Sequence, residues 1–251
     1  MNLLRHLFHF LSLPFLVFLL FFSFLPSAAP SLLFGFLGQD CVTLSSTNQY
    51  DAHGVAVHNS FPWIRKIGTN ALVGTNGGAV ESEQFLTLLE HWNWKHELEV
   101  GKSMSPLAMA ELSASLIAKQ MMESEPGAVN LLIGGWCEES ATFVLYRVDE
   151  IGSLKRVCYG ARGGAASQLF SILDRMNNGA RLGSKEETSL KSLTVEESLD
   201  CVEHCWETIQ KRSMGQLSAH YTEMCSLKLQ LHLQFVNICI ASEQYEESCA
   251  I

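Results

Sequence analysis

The order of elements predicts an α+β fold, a four-layer αββα sandwich. Two observations carry that expectation. Extended runs come in sets and helical patterns come in pairs between the sets: strands, two helices, strands, two helices, strand. A doubly wound parallel sheet would instead alternate strand with helix. Grouped strands joined by short turns make antiparallel sheets, and each helix pair then covers the outer surface of one sheet. A chain of 251 residues, 47% apolar and only 17% charged, has room for one domain of roughly 200 residues plus a tail, or at most two small domains.

Leu32 to Leu37 and Cys41 to Ser46 are apolar runs split by Gly38-Gln39-Asp40, read as a hairpin because Gly38 tolerates a positive φ. Gly54 to His58 is a further extended piece, closed by Pro62. Trp63 to Ile67 leads through Gly68-Thr69-Asn70 into a short buried strand, Ala71 to Gly74. After Gly77-Gly78, Val80, Phe85, Leu88, Leu89, Trp92 and His96 recur near the helical period and mark the expected buried face. Acids in that first turn suit the positive helix end. Ser105-Pro106 starts a second helix, a cap residue followed by proline at the first helical position. It carries Leu107, Ala110, Leu112, Ala114, Ile117 and Met121 and ends before Pro126-Gly127.

Val129 to Gly135 reads as a buried strand, Thr142 to Val148 as its hairpin partner and Lys155 to Tyr159 as a third strand. Gly160-Ala161-Arg162-Gly163-Gly164 then opens a helix bearing Leu169, Phe170, Ile172 and Leu173. Thr194-Val195-Glu196-Glu197 is a capping box, in which hydroxyl and carboxylate each satisfy a free amide. Its helix reaches about Arg212, and Leu217 to Met224 returns as a strand. The next stretch alternates strictly, Leu227, Leu229, Leu231, Leu233 and Phe235 against Lys228, Gln230, His232 and Gln234. It is expected to form one strand with a dry face that another element or chain must cover.

Several function classes fall away. A net charge of −9, from 17 basic against 26 acidic residues, argues against a duplex nucleic-acid binder that works by neutralising phosphates. The eight cysteines, Cys41, Cys137, Cys158, Cys201, Cys205, Cys225, Cys239 and Cys249, form no CxxC pair and read as free thiols in a reducing compartment. Cys201, His204 and Cys205 share one helical turn, but a zinc site wants a second ligand pair nearby; buried thiols are the preferred reading, and neither metal nor cofactor is expected. His91, Trp92, Trp94 and His96 read as packing against a sheet or a neighbouring subunit, where tryptophan is enriched. The glycine runs 160–164 and 74–78 lack the Walker lysine and the GxGxxG pattern and read as tight turns. No GxSxG elbow exists.

With that element order, LLFGFLGQDCVTLSS, WIRKIG, LVGTNGG, NLLIGGWCEES, LYRVDEIGSL, YGARGG, SILDRM and TVEESLDCVEHCWETIQKR together resemble a 20S proteasome beta subunit over about residues 31–226. The nearest class is beta type-2, which holds the fourth beta position of the ring. The resemblance implies the N-terminal-nucleophile hydrolase fold. It implies domain bounds of 30–226 for the beta-type domain, 1–29 for a hydrophobic extension and 227–251 for a C-terminal strand and tail.

Active members of that family cut peptides with an N-terminal threonine released by cleavage after glycine. The hydroxyl attacks and the chain's own α-amine, which titrates near neutrality, serves as base. A lysine and an aspartate tune the charge, and a later serine and aspartate support the amine. Carried over, the nucleophile falls at Ser31, behind Pro30 instead of glycine, and the first aspartate at Ser46 or Thr47. The lysine falls at Trp63, the later serine in Gly163-Gly164 and the later aspartate near Ser213. An indole supplies no cation and glycine no hydroxyl. The resemblance therefore implies a subunit without catalytic residues, packed against other beta subunits, the opposed beta ring and the alpha ring, in cytoplasm and nucleus. The alternative is an active hydrolase that uses Ser31 after residues 1–30 are removed.

Residues 1–29 hold seven of the 14 phenylalanines, an unbroken apolar run from Phe15 to Phe22, and Pro14 and Pro26. Read alone, they fit a signal peptide, an interrupted membrane anchor or a start that the mature chain lacks. The last is adopted, because secretion would separate a ring subunit from the partners that cover its apolar surface. A secreted or membrane-tethered relative is the remaining possibility.

Overall fold

β1 (Leu32–Leu37) is apolar along its length because both its faces are covered. The computed structural model describes residues 32–47, 49–52, 55–58, 63–123, 129–177, 190–212, 222–228 and 233–238. In it Leu32, Phe34 and Phe36 face one set of helices, while Leu33 faces a second sheet. A continuous apolar run, rather than an alternating one, is what a strand in an inner layer requires.

The first sheet has the order β10-β1-β2-β11-β12, with β2 at Cys41–Thr47, β10 at Tyr159–Gly163, β11 at Thr222–Lys228 and β12 at Leu233–Ile238. The second has the order β5-β6-β7-β8-β9: Ile64–Ile67, Ala71–Asn76, Asn130–Cys137, Thr142–Val148 and Leu154–Val157. β3 (Gln49–Ala52) and β4 (Val55–His58) pair apart from both sheets; β3 has no counterpart in the sequence reading. The helix pair α1 (Ala79–Val100) and α2 (Pro106–Glu123) covers the second sheet, and α3 (Ala166–Asn177) with α4 (Val195–Arg212) covers the first.

Three apolar clusters fill the gaps between these four layers, so the αββα expectation holds. Glycine sets the spacing between the sheets. A Cβ on Gly74 would stand 2.7 Å from Leu33 Cδ1, and one on Gly134 would stand 2.5 Å from Val42 Cγ2. Each missing side chain admits a branched one from the opposite sheet, which gives the dense contact that an interior demands.

The caps form as the residues dictate. Thr194 N donates to Glu197 Oε2 at 2.9 Å and Glu197 N to Thr194 Oγ1 at 3.3 Å, both bonds of a capping box. Ser105 Oγ accepts from Ala108 N at 3.2 Å, and Gly101, at φ 79°, ends α1 by donating to Glu97 O.

Five expectations need correction. Gly38 is not among the glycines with positive φ; it is required because a Cβ there would meet Cys41 Sγ at 2.6 Å and Leu193 O at 2.8 Å. The run Lys155–Tyr159 is not one strand. The chain changes sheets at Cys158, and Gly160 to Gly163 continue as β10 rather than open a helix. The strand placed at Leu217–Met224 lies at Thr222–Lys228. The alternating stretch Leu227–Phe235 is divided between β11 and β12, with Leu227 opposite Leu233, because a period of two does not record where a chain reverses. Since β12 joins the first sheet, a boundary at 226 falls inside β11.

The fifth correction concerns α1. Its buried residues are Ser82, Phe85, Leu86, Leu89 and Asn93, whereas Val80, Leu88 and Trp92 are exposed. Asn93 wins an inner position by bonding: its Oδ1 accepts from Met104 N at 2.9 Å and its Nδ2 donates to Glu97 Oε1 at 3.0 Å. A stripe drawn through apolar residues alone finds Phe85 and Leu89 but adds outward residues to them and passes over Ser82 and Asn93.

Candidate functional site at the start of β1

Strand pairing brings three of the expected positions together at one end of the sandwich. Leu32, the first described residue after Ser31, is paired with Gly163 on one side. On the other, its amide donates to Thr47 Oγ1 at 2.9 Å. One step inward, Leu33 is paired with both Arg162 and Ser46. Trp63 precedes β5, whose Ile64 is paired with Gly74, the residue beneath the Leu33 side chain. Ser31 and Ser213 lie outside the described residues.

The chemistry of this end follows from its donors and acceptors. Thr47, not Ser46, is the β2 residue whose side chain reaches the β1 backbone beside Ser31; a hydroxyl there brings no negative charge. Trp63 is buried, and its carbonyl accepts from Thr75 N at 2.8 Å and Thr75 Oγ1 at 3.3 Å. Gly163 takes φ 115°, a conformation that glycine tolerates and an L-serine would rarely adopt.

Arg162 is the residue that sequence reasoning missed, because it was grouped with the glycines as a turn. Strand parity puts it in the row of Leu33 and Ser46, on the face toward the second sheet. Its Nε is buried, as is Ser46 Oγ, and neither has a hydrogen-bond partner among the described residues. A guanidinium does not give up its proton in a protein. It can stabilise an anion but cannot shuttle protons as a lysine near neutrality can.

The remaining candidates are distributed elsewhere. Cys201 and Cys205 are buried in the core beneath α3 and α4, and Cys201 Sγ lies 3.7 Å from Met176 Sδ. Hydrogen bonding with Cys201 and then burial push the Cys205 thiol well above its ordinary range, so it stays protonated where a zinc ligand would be thiolate. Among the described residues no group of three or more His, Cys, Asp or Glu side chains is placed to hold a metal ion. Trp92 and Trp94 do not pack on a sheet. Both are exposed, with Lys95 Nζ 5.2 Å from the Trp92 ring centre and the His91 and Trp94 rings 6.0 Å apart. Gly74 to Asn76 are strand residues, and Gly77 takes φ 157° before α1.

Comparison with known proteins agrees with this architecture. A family model described as proteasome subunit matches residues 31–212. The chain is 25% identical over 181 residues to proteasome subunit beta type-4 of Saccharomyces cerevisiae, which covers 72% of this chain and 85% of that relative. It is 27% identical over 141 residues to proteasome subunit beta 2 of Desulfurococcus amylolyticus, covering 56% and 67%. Against proteasome subunit beta type-1 of Arabidopsis thaliana it is 24% identical over 176 residues, covering 69% and 77%.

Proposed function

The chain belongs to the proteasome subunit family, on its beta side, and from that premise we propose that it is a non-catalytic beta subunit of the 20S core particle. It takes the fourth beta position, the beta type-2 class, and helps wall the chamber in which proteins, ubiquitin-tagged ones among them, are degraded. The observation that carries the reading is Trp63, a buried indole where active relatives place the lysine that tunes the nucleophile. Thr47 in place of an aspartate, Gly163 in place of a serine and Pro30 ahead of Ser31 point the same way. An amine base beside a hydroxyl still needs its charge balanced by neighbours, and those neighbours are missing from this set.

A silent subunit contributes surface. Val80, Trp94, Leu98 and Val100 on α1 stand 57–67% exposed, and assembly with other proteasome subunits is what covers such side chains. Residues 1–29 are absent from the working protein, which resides in cytoplasm and nucleus with the partners that cover its apolar surface.

Native mass spectrometry of particles purified through a tag on this chain tests the reading, combined with an inhibitor that reacts only with an N-terminal nucleophile. The expected result is one copy per beta ring, no label on this chain and label on catalytic neighbours. A new terminus at Ser31 that takes up label would establish the active hydrolase instead, and a membrane-bound or glycosylated product would remove the chain from the particle.

A further inference from the structure

Beneath α3 and α4 three sulfur atoms meet in an apolar cluster that also holds Leu173, Val202 and Ile209. Met176, in the last turn of α3, and Cys201 and Cys205, one turn apart on α4, are 7%, 4% and 0% exposed. Cys201 Sγ donates to Met176 Sδ at 3.7 Å, and Cys205 hydrogen-bonds with Cys201. Among the described residues no histidine or carboxylate completes a set of three with the two thiols. The third donor is a thioether.

That donor set selects an ion. Thiolate and thioether are soft ligands, which suit copper(I) where oxygen and imidazole suit harder cations. Charge points the same way. Zinc wants four ligands and brings two positive charges, and an apolar core does not tolerate an unbalanced charge. The Cys201 proton lies between two sulfurs, and a monovalent ion in its place leaves the net charge of the core unchanged.

We infer that Cys201 and Met176 bind a monovalent soft metal ion, copper(I) by this chemistry, and so clasp α3 to α4. The Cys201 proton leaves to solvent as the thiolate lone pair forms the bond to the metal. The Met176 sulfur adds a lone pair, and nothing is oxidised or reduced. Cys205 remains a thiol against the Cys201 sulfur, an outer partner of the kind that orients a metal ligand. Met176 is the most exposed of the three and marks the way in, at the end of α3. None of these residues is among those carried over for the nucleophile, so the site stands whether or not Ser31 is one.

The test titrates the purified full chain, without oxygen, against copper(I) held by bicinchoninate, and reads the metal transferred from the colour lost. The parent takes up one equivalent that Cys201→Ser does not, and releases a proton as it does so. Met176→Leu conserves core volume and weakens that equivalent by about tenfold or more, as does Cys205→Ala. Copper(I) raises the melting temperature of the parent and raises that of Met176→Leu less. Cys41→Ser removes a different buried thiol, 3.6 Å from Ser198 Oγ, and leaves uptake unchanged. Equal uptake by Cys201→Ser or by Met176→Leu and the parent overturns the inference. So does displacement of the bound copper(I) by an equal concentration of zinc, or an X-ray absorption spectrum in which that equivalent has nitrogen or oxygen neighbours.

Discussion

Helices α3 and α4 turn their large side chains inward, whereas α1 turns several of its own outward. Beneath α3 and α4, Trp206 is buried against Phe34, ring centres 5.4 Å apart, and its Nε1 donates to Ser45 Oγ at 2.8 Å. No large apolar residue of those two helices is among the exposed ones. Beneath α1 and α2 the buried set includes Ser82, Asn93 and Ser113, while Val80, Leu88, Trp92, Trp94, Leu98 and Val100 face out. One layer is closed within the chain. The other has an apolar core of its own, with Phe85, Leu86, Leu89 and Met109 in it, but it also admits polar residues and leaves apolar area exposed. A member of an assembly needs both, since its own fold must survive without spending the residues that bind its neighbours.

The largest effect is expected where the closed layer is opened. Trp206→Ala removes the biggest side chain under α4 and orphans the Ser45 hydroxyl, at a cost of about 3–5 kcal/mol in urea denaturation of the full chain. Trp206→Phe keeps most of the volume and loses the hydrogen bond, at about 1–3 kcal/mol. A loss below ~1 kcal/mol for the alanine variant would mean that this layer is not closed after all.

In the open layer a side chain of modest size links the end of α1 to the start of α2. Asn93→Ala removes bonds to the Met104 amide and the Glu97 carboxylate and leaves a buried amide unpaired, at about 1–3 kcal/mol. It acts by loosening the junction of α1 with α2, so amide exchange at Met104 rises before exchange in α4 changes. A cost equal to that of Trp206→Ala would erase the distinction between the layers.

How far each layer was legible follows from the same difference. The closed layer could be read: Leu169, Ile172 and Leu173 keep the helical period, and Thr194 with Glu197 makes the cap. The open layer misled, because Asn93 and Ser82 look like surface residues and Trp92 like core. At the candidate site, the resemblance to proteasome beta subunits placed Trp63, and either Ser46 or Thr47, beside the start of β1. It did not distinguish Thr47 from Ser46, which depends on one hydroxyl bonding across strands. Arg162 was missed because glycine-rich composition resembles a turn, and only pairing with Leu33 reveals a strand.

A smaller effect follows pH. Hydrogen bonds from Ser103 and then Asn93 hold the Glu97 carboxyl below its ordinary value of 4.5. A carboxyl whose folded value is depressed stabilises the fold above its unfolded value, and that contribution is lost as pH falls through the folded value. Glu97→Gln therefore melts below the parent at neutral pH, and the gap narrows as pH drops under about 4.5. Because the group is largely solvated, the difference is small and screened. A gap that widens on acidification would show that the carboxylate is not what the turn depends on.

The smallest effect on stability, and the sharpest on the comparison, belongs to Trp94. Its ring is 57% exposed and touches His91, so Trp94→Ser is expected to shift the stability of the isolated chain by no more than ~0.5 kcal/mol. If the outward layer is kept for neighbours, the same change lowers incorporation into particles when the variant competes with the parent chain, because an interface loses an aromatic anchor while the fold loses nothing. Trp206→Phe supplies the opposite case, less stable yet incorporated in proportion to the folded fraction. Equal incorporation of Trp94→Ser and the parent, read by mass spectrometry of particles from cells that express both, would make the outward side chains of α1 ordinary surface.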